Sequence, residues 1–300
     1  MITKIDENTI TDAAVEQMAG TKDARLKEIM ESLVRHLHEF AREVDLTPEE
    51  WLDGIKFLTS VGQTCTPFRQ EFILLSDTLG LSSLINALHD KRAIEHGTKT
   101  SLLGPFYRQD GPPLPLGSRI FKGEGPEIAI YGRVASMDGQ GIPGATVQIW
   151  QTDDEGAYDL QKDASVMDLR GVFTTDSDGR YSLRTLLPLG YMIPMDGPVG
   201  DMIRAQGRHG YRPAHIHFLI SAAGYRELVT ALYMRKDDHI DSDTVFGVED
   251  SLITMPKEGD ANSPFSNLPS IQFDFKLGMA AADGSGRVGA DPSQILKASH

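Results

Sequence analysis

The tripeptide His215-Ile216-His217 is the strongest chemical signal in the chain. On a strand, residues two apart point to one face with Cα atoms about 6.6 Å apart, so both imidazoles can converge on one metal. The plainer alternative is two half-buried histidines satisfied by backbone carbonyls or water. The pair does not choose a metal, since imidazole serves zinc, copper, iron and nickel alike. Two tyrosines bear on that choice: Tyr158, after Trp150-Gln151-Thr152-Asp153-Asp154-Glu155-Gly156-Ala157, and Tyr191, in Pro188-Leu189-Gly190-Tyr191. Each alone reads more readily as an ordinary amphipathic sandwich or loop residue than as a ligand. If both are ligands, their phenolates are hard anionic donors that favour ferric iron over zinc or cuprous copper.

The elements that must position these residues fall into two halves. Over residues 24–44, Leu26, Ile29, Met30, Leu33, Leu37, Phe40, Ala41 and Val44 recur at steps of three and four, which predicts a helix with one buried face. Thr47-Pro48-Glu49-Glu50 combines an N-cap, a first-turn proline and a capping-box glutamate, and starts a second helix. Thr66-Pro67 repeats the start signal ahead of Phe68, Phe72, Ile73 and Leu75, and residues 81–88 predict a further short helix. Residues 1–95 therefore read as an all-helical domain.

From residue 96 to 300 the pattern changes to short alternating runs: 128–134, 147–150, 181–183, 215–222, 228–234 and 271–275. Turn signals such as Asp138-Gly139 and Asp176-Ser177-Asp178-Gly179 separate them. Strands without intervening helices imply antiparallel pairing, so the class is mainly β: an antiparallel β-sandwich preceded by helices. Residues 279–300, rich in Ala, Gly, Asp and Ser, read as a loosely held tail.

Composition narrows the function classes. With 300 residues, 40% hydrophobic and 24% charged, the chain has a globular balance and enough length for a sizeable core. Acidic residues outnumber basic ones 43 to 29, which leaves no basic footprint for nucleic acid. The single cysteine, Cys65, cannot form an internal disulfide, and the first residues lack the basic and apolar regions of a signal peptide, so a cytoplasmic setting is expected. No apolar run approaches the roughly 18 residues needed to span a bilayer, so membrane insertion is not expected.

Taken together, three segments resemble the intradiol ring-cleaving dioxygenases, which open catechols with non-haem Fe(III). They are Trp150 to Tyr158, Leu186-Leu187-Pro188-Leu189-Gly190-Tyr191, and Gly207-Arg208-His209-Gly210-Tyr211-Arg212-Pro213-Ala214-His215-Ile216-His217-Phe218. They stand in the family's order, with 33 residues between the tyrosines and 24 from Tyr191 to His215. The resemblance implies one Fe(III) per chain held by Tyr158, Tyr191, His215 and His217. It also implies that Tyr191 is the ligand that departs when substrate binds, and that Arg212 stabilises anionic substrate. Two phenolates and a hydroxide cancel the charge of Fe(III), so a dry cavity can hold it at little solvation cost.

Gly104-Pro105-Phe106-Tyr107 and the segment from Tyr191 to Gly200 resemble the family's hydroxyquinol branch more than its catechol branch. The implied substrate pocket is Leu74, Asp77, Leu103, Gly104, Pro105, Phe106, Ile193, Pro194, Arg212 and Val245. Asp77 aligns with a pocket carboxylate that can accept a hydrogen bond from a third ring hydroxyl; its alternative is an ordinary exposed helical acid, and that of Arg212 is a surface ion pair. Ala231 departs from catechol relatives, which often carry glutamine there. The implied partners are a hydroxylated aromatic and O2, with maleylacetate as the product from hydroxyquinol and cis,cis-muconate as the product if catechol is the substrate. The helical half implies a homodimer interface and a place for phospholipid. Residues 127–187 also resemble transthyretin-like sandwiches, which need no metal, so a non-enzymatic binding module stays open.

Overall fold

Two helices open the chain, α1 (Ile10–Glu16) and α2 (Ala24–Glu43), and the second is capped by Asp23, whose carboxylate accepts from the backbone N–H groups of Arg25 and Leu26. The computed structural model describes residues 5–66, 69–93, 97–163 and 165–280. Helix α3 (Pro48–Thr64) begins on the expected capping box: Glu50 N donates to Thr47 Oγ1 at 3.3 Å, and Thr47 N donates to Glu50 Oε2 at 2.9 Å. The chain divides into two compact units, residues 1–60 and 61–300, so the division falls inside α3.

In the first unit the apolar stripe of α2 is not buried as its periodicity predicts. Leu33, Leu37 and Phe40 are 46%, 54% and 52% exposed, and Trp51, Ile55 and Leu58 of α3 are exposed as well. The 3.6-residue period is present, but among the described residues nothing buries it.

The second unit begins with α4 (Glu71–Thr78) and α5 (Leu81–Ala93). The helix start expected at Thr66-Pro67 is displaced. Pro67 and Phe68 lie outside the described residues, while Thr66 and Arg69 exchange backbone hydrogen bonds at 2.8 and 3.2 Å. Those groups are committed to each other, and the helix starts only at Glu71.

The sheet-rich remainder runs β1 (Glu127–Ser136), β2 (Thr146–Gln151), α6 (Asp159–Lys162), β3 (Arg170–Thr174), β4 (Arg180–Leu186), β5 (Tyr191–Met192), α7 (Pro198–Ala205), β6 (Tyr211–Arg212), β7 (His215–Ser221), β8 (Leu228–Met234), β9 (Ile253–Thr254), β10 (Ser270–Gln272) and β11 (Phe275–Leu277). One sheet has the order β3-β2-β7-β8-β9; in the other, β1 pairs with β4, β10 and β11; β5 and β6 form a short ladder. Side chains of both larger sheets share one apolar cluster, with Ile130, Leu183, Ile271 and Phe275 on one side and Ile149, Ile216, Phe218 and Leu232 on the other.

Two expectations need correction. The sheets are mixed, because β1–β10, β1–β11 and β8–β9 pair in parallel. The segments that join these pairs are long, as parallel pairing demands. The single strand expected at 271–275 is also broken. Phe273 and Asp274 leave the ladder where Phe273 N donates to Tyr131 O and Arg133 N donates to Asp274 Oδ1. Gly132 makes this crossing feasible, since a Cβ there would sit 1.9 Å from the Phe273 carbonyl oxygen. The tail expected from residue 279 lies, from 281 onward, outside the described residues. Among the described residues no single helix is long and apolar enough to cross a membrane.

Candidate active site

Strand β7 lies between β2 and β8, and this register builds the site: Trp150 faces His217 from β2, while Ala231 faces His217 and Tyr233 faces His215 from β8. The two imidazoles point to one face, their Nε2 atoms 3.0 Å apart, and the Tyr158 hydroxyl lies 3.4 Å from His215 Nε2. Tyr158 stands immediately before α6. Tyr191 opens β5, where it pairs with Arg212 of β6, so a two-residue ladder ties the second tyrosine to the segment entering His215. The Tyr191 ring meets those of Tyr158 and His215 at 5.5 and 5.8 Å between centroids. All four side chains are buried.

Burial decides their charge states. It drives His215 down to about 3, with the charge of Arg212 acting in the same direction, and holds His217 well below the ordinary histidine value, with His215 and Arg212 adding to the effect. It also pushes the Tyr158 phenol well up, reinforced by Tyr191. Both imidazoles are therefore neutral and free to donate a lone pair. His215 Nδ1 lies 2.7 Å from the Pro213 carbonyl oxygen, which can only accept, so Nδ1 carries the proton and the Nε2 lone pair faces the phenols. Two imidazole nitrogens and two phenol oxygens form a hard, mixed N/O donor set, which suits a ferric ion. Among the described residues no group of three His, Cys, Asp or Glu side chains is arranged to hold a metal, so the phenols are essential to any such site.

Arg212 is buried, and it is more than the surface ion pair considered for it. Nε and Nη2 donate to the two Asp243 carboxylate oxygens at 3.2 and 3.3 Å, Nη2 donates to the Tyr233 hydroxyl at 3.2 Å, and Nη1 lies 3.3 Å from His215 Nε2. Burial opposes its charge, but Asp243 outweighs that and raises the guanidinium well above its ordinary value. A permanent cation therefore stands beside the imidazoles. Tyr233 is pushed up to about 12 by burial and bonds the Ser101 hydroxyl at 2.8 Å.

Phe106 stacks on Tyr158 with centroids 4.3 Å apart and planes at 20°, and presents its ring to Tyr191 at 6.2 Å. Gly104 adopts φ +71°, and a Cβ there would lie 3.5 Å from His217 Nε2, so the absent side chain keeps the approach to that nitrogen open. Leu74, Leu103 and Pro194 are half-buried, Ile193 and Val245 buried, and Pro105 exposed; none makes a ring contact or a side-chain hydrogen bond to the four donors. Asp77 is buried, unlike an ordinary helical acid. Burial lifts it to about 6 against the opposing pull of the Ser82 hydroxyl and Arg212, with Asp243 adding to the rise. A cavity of about 630 Å³ is lined by Arg208, His209, Asp243 and Phe246 but by none of the four donors.

Sequence reasoning does not single out Tyr233, Asp243 or the pair Asp159 and Arg170. Tyr233 has a usable signal, since it lies on the apolar run that pairs with His215. Asp243 has none, because its loop reaches Arg212 only in three dimensions.

Comparison with known proteins accords with this geometry. Residues 23–97 match the family described as catechol dioxygenase N terminus, and residues 102–279 match the family described as dioxygenase. The chain is 46% identical over 274 residues to 6-chlorohydroxyquinol 1,2-dioxygenase of Cupriavidus pinatubonensis, covering 91% of this chain and 97% of that protein. It is 44% identical over 250 residues to hydroxyquinol 1,2-dioxygenase of a Rhizobium species, covering 82% and 84%. The solved structure of hydroxyquinol 1,2-dioxygenase from Pseudomonas putida superposes with a TM-score of 0.84 at 42% identity, over 90% of this chain and 98% of that one. With a helical N-terminal region, a sheet-rich catalytic region and both family segments in order, the chain belongs to the intradiol ring-cleaving dioxygenases, enzymes that use non-haem iron.

Proposed function

We propose that the protein cleaves hydroxyquinol between its vicinal hydroxyl-bearing carbons with O2, giving maleylacetate. The observation that carries this choice is Asp77, a carboxylate buried within the electrostatic reach of Arg212 and Asp243. A buried carboxylate rewards a ligand hydroxyl that donates to it, and catechol has no third hydroxyl to offer. The relatives named as hydroxyquinol enzymes support it, at 40–46% identity against 37% for the catechol 1,2-dioxygenase of Candida albicans.

The residues that would hold one Fe(III) per chain are Tyr158, Tyr191, His215 and His217. Bound there, ferric iron supplies Lewis-acid activation of the chelated diol. The chain's own groups do the rest. The Tyr191 oxygen takes a proton from an entering substrate hydroxyl, Arg212 stabilises the anionic ring, and Phe106 and Trp150 cover the donors on their apolar sides and keep water out. Side-by-side turnover of hydroxyquinol and catechol with product identification tests the assignment. Preference for catechol, with cis,cis-muconate as product, overturns it.

The sheet-rich part functions as a β-sandwich catalytic domain over residues 96–300, and residues 1–95 as a helical domain that pairs two chains and can take phospholipid at the interface. The exposed stripe on α2 and α3 supports the pairing, and the junction between the two family segments supports the boundary. A cytoplasmic setting accords with a lone, unpaired Cys65. The binding-module alternative is set aside, because it gives no reason for buried phenols and imidazoles to converge.

A further inference from the structure

Tyr158 is followed directly by Asp159, whose carboxylate is turned inward with its side chain only 2% exposed. It accepts from Leu160 N at 2.8 Å and Asp168 N at 3.3 Å, and it meets Arg170 in a two-pronged ion pair, Nε to Oδ2 at 2.6 Å and Nη2 to Oδ1. The guanidinium also reaches in another direction: Nη1 and Nη2 both donate to the Phe106 carbonyl oxygen at 3.2 Å. The ring of that same Phe106 stacks on Tyr158. The contacts close a circuit from the Tyr158 backbone through Asp159, Arg170 and Phe106 back to the Tyr158 ring.

Stability alone does not explain such an arrangement. A buried ion pair is often matched or bettered by apolar residues of similar volume, because removing two charges from water offsets most of their attraction. An apolar pair, however, could not grip a backbone carbonyl on another segment, whereas the planar fork of arginine can bond a carboxylate and a carbonyl at once. Arg170 is itself anchored on β3 opposite Trp150, the residue stacked on His217.

We propose that Asp159 and Arg170 are positioning residues for Tyr158: they fix the Phe106 backbone, and through it the Phe106 ring, so that the phenol oxygen is held towards His215 and His217. Because Phe106 also borders Tyr191, the lock keeps one phenol in place while the other exchanges with substrate. This inference rests on the reading of Tyr158 and Tyr191 as iron ligands.

The test uses the iron-loaded enzyme and three variants, Arg170→Lys, Phe106→Leu and the double variant, with two readouts: the visible phenolate-to-iron absorption and the rate of iron release to a chelator. Each single variant is expected to shift the band and to release iron about tenfold faster, in the range seen when residues supporting metal ligands are removed. Because both act through one contact, the double variant releases iron no faster than the faster single. A native band and release rate in Arg170→Lys, or an additive acceleration in the double variant, overturns the proposal. If Arg170→Lys fails to fold, Asp159→Asn combined with Arg170→Gln removes both charges of the pair at once, leaving neither unpaired, and carries the test: an altered band and faster release support the proposal, and native values overturn it. Failure of the underlying ligand reading is separately visible, since the unaltered protein would then lack iron and the band.

Discussion

The indole of Trp150 lies flat on the imidazole of His217, with ring centroids 4.8 Å apart and planes within 5° of parallel. The two are cross-strand partners on β2 and β7, so the strand register itself imposes the stack. An imidazole pinned in this way cannot rotate, and its Nε2 stays directed at His215.

His217→Ala and Tyr158→Phe should therefore give folded protein that has lost iron and most activity, because the core around Ile149, Phe218 and Phe275 does not involve the four donors. Iron analysis, visible absorption and circular dichroism check this. Full activity in either variant removes that residue from the ligand set.

The purified protein should contain about one iron per chain and be red-brown, since phenolate-to-Fe(III) charge transfer absorbs visible light and d¹⁰ zinc does not. Stripping the metal should lower Tm, because a ligand that binds only the folded state stabilises it by mass action. Stoichiometric zinc with no visible band would contradict the ferric assignment.

Asp77→Ala should change substrate choice. A hydrogen bond to a charged group is worth about 1.5–3 kcal/mol, so kcat/KM for hydroxyquinol relative to catechol should fall about ten-fold to a hundred-fold. An equal loss on both substrates would place Asp77 in the structural framework instead.

Asp77 should also leave a mark on stability. Its folded value of about 6 lies above the ordinary 3.8, so the folded state holds the proton more tightly and stability falls as pH rises through the window from about 4 to about 6. Asp77→Asn removes that loss, and the gain over the unaltered protein, at most about 3 kcal/mol for a shift near two units, should be present at pH 8 and absent below pH 4. Denaturant melts at the two pH values measure it. A gain that does not vary with pH would show that the carboxylate is not strained by burial.

Leu33→Glu with Leu37→Glu should convert a dimer to a monomer by light scattering at micromolar concentration, since charges on an apolar stripe oppose its burial against a second copy. A native chain that is already monomeric would remove the dimer proposal.

The parts of this molecule that are legible in sequence are those encoded locally. The cap at Thr47, the alternation around Ile130 and Ile149, and the spacing of His215 and His217 each depend on a few adjacent residues. The illegible parts depend on distant ones. Strand β3 begins Arg170-Gly171, a charge and a glycine that read against a buried strand until Asp159 accounts for the charge. Helix α7 is only eight residues long, with Gly197 as its N-cap and Pro198 as its first residue. The parallel pairing of β10 and β11 with β1 is decided across the sheet, and the exposure of Leu33, Leu37 and Phe40 cannot be told from burial by periodicity. In the site, Asp243 emerges only once a returning loop brings it to Arg212.

The β2–β7 and β5–β6 ladders bring together residues that are strangers in sequence. Before they form, His215 and His217 are the only two of the four donors that lie close in the chain, a weak and unselective chelate, while the phenols of Tyr158 and Tyr191 stand 57 and 24 residues before His215. The full donor set exists only after the five-stranded sheet has closed, and closure waits on non-local pairing, a slow event in folding. Ordinary affinity rules favour copper, nickel or zinc over iron at nitrogen donors. A preference for a harder metal therefore cannot come from the histidine pair; it arrives with the phenols, which join that pair only through those ladders.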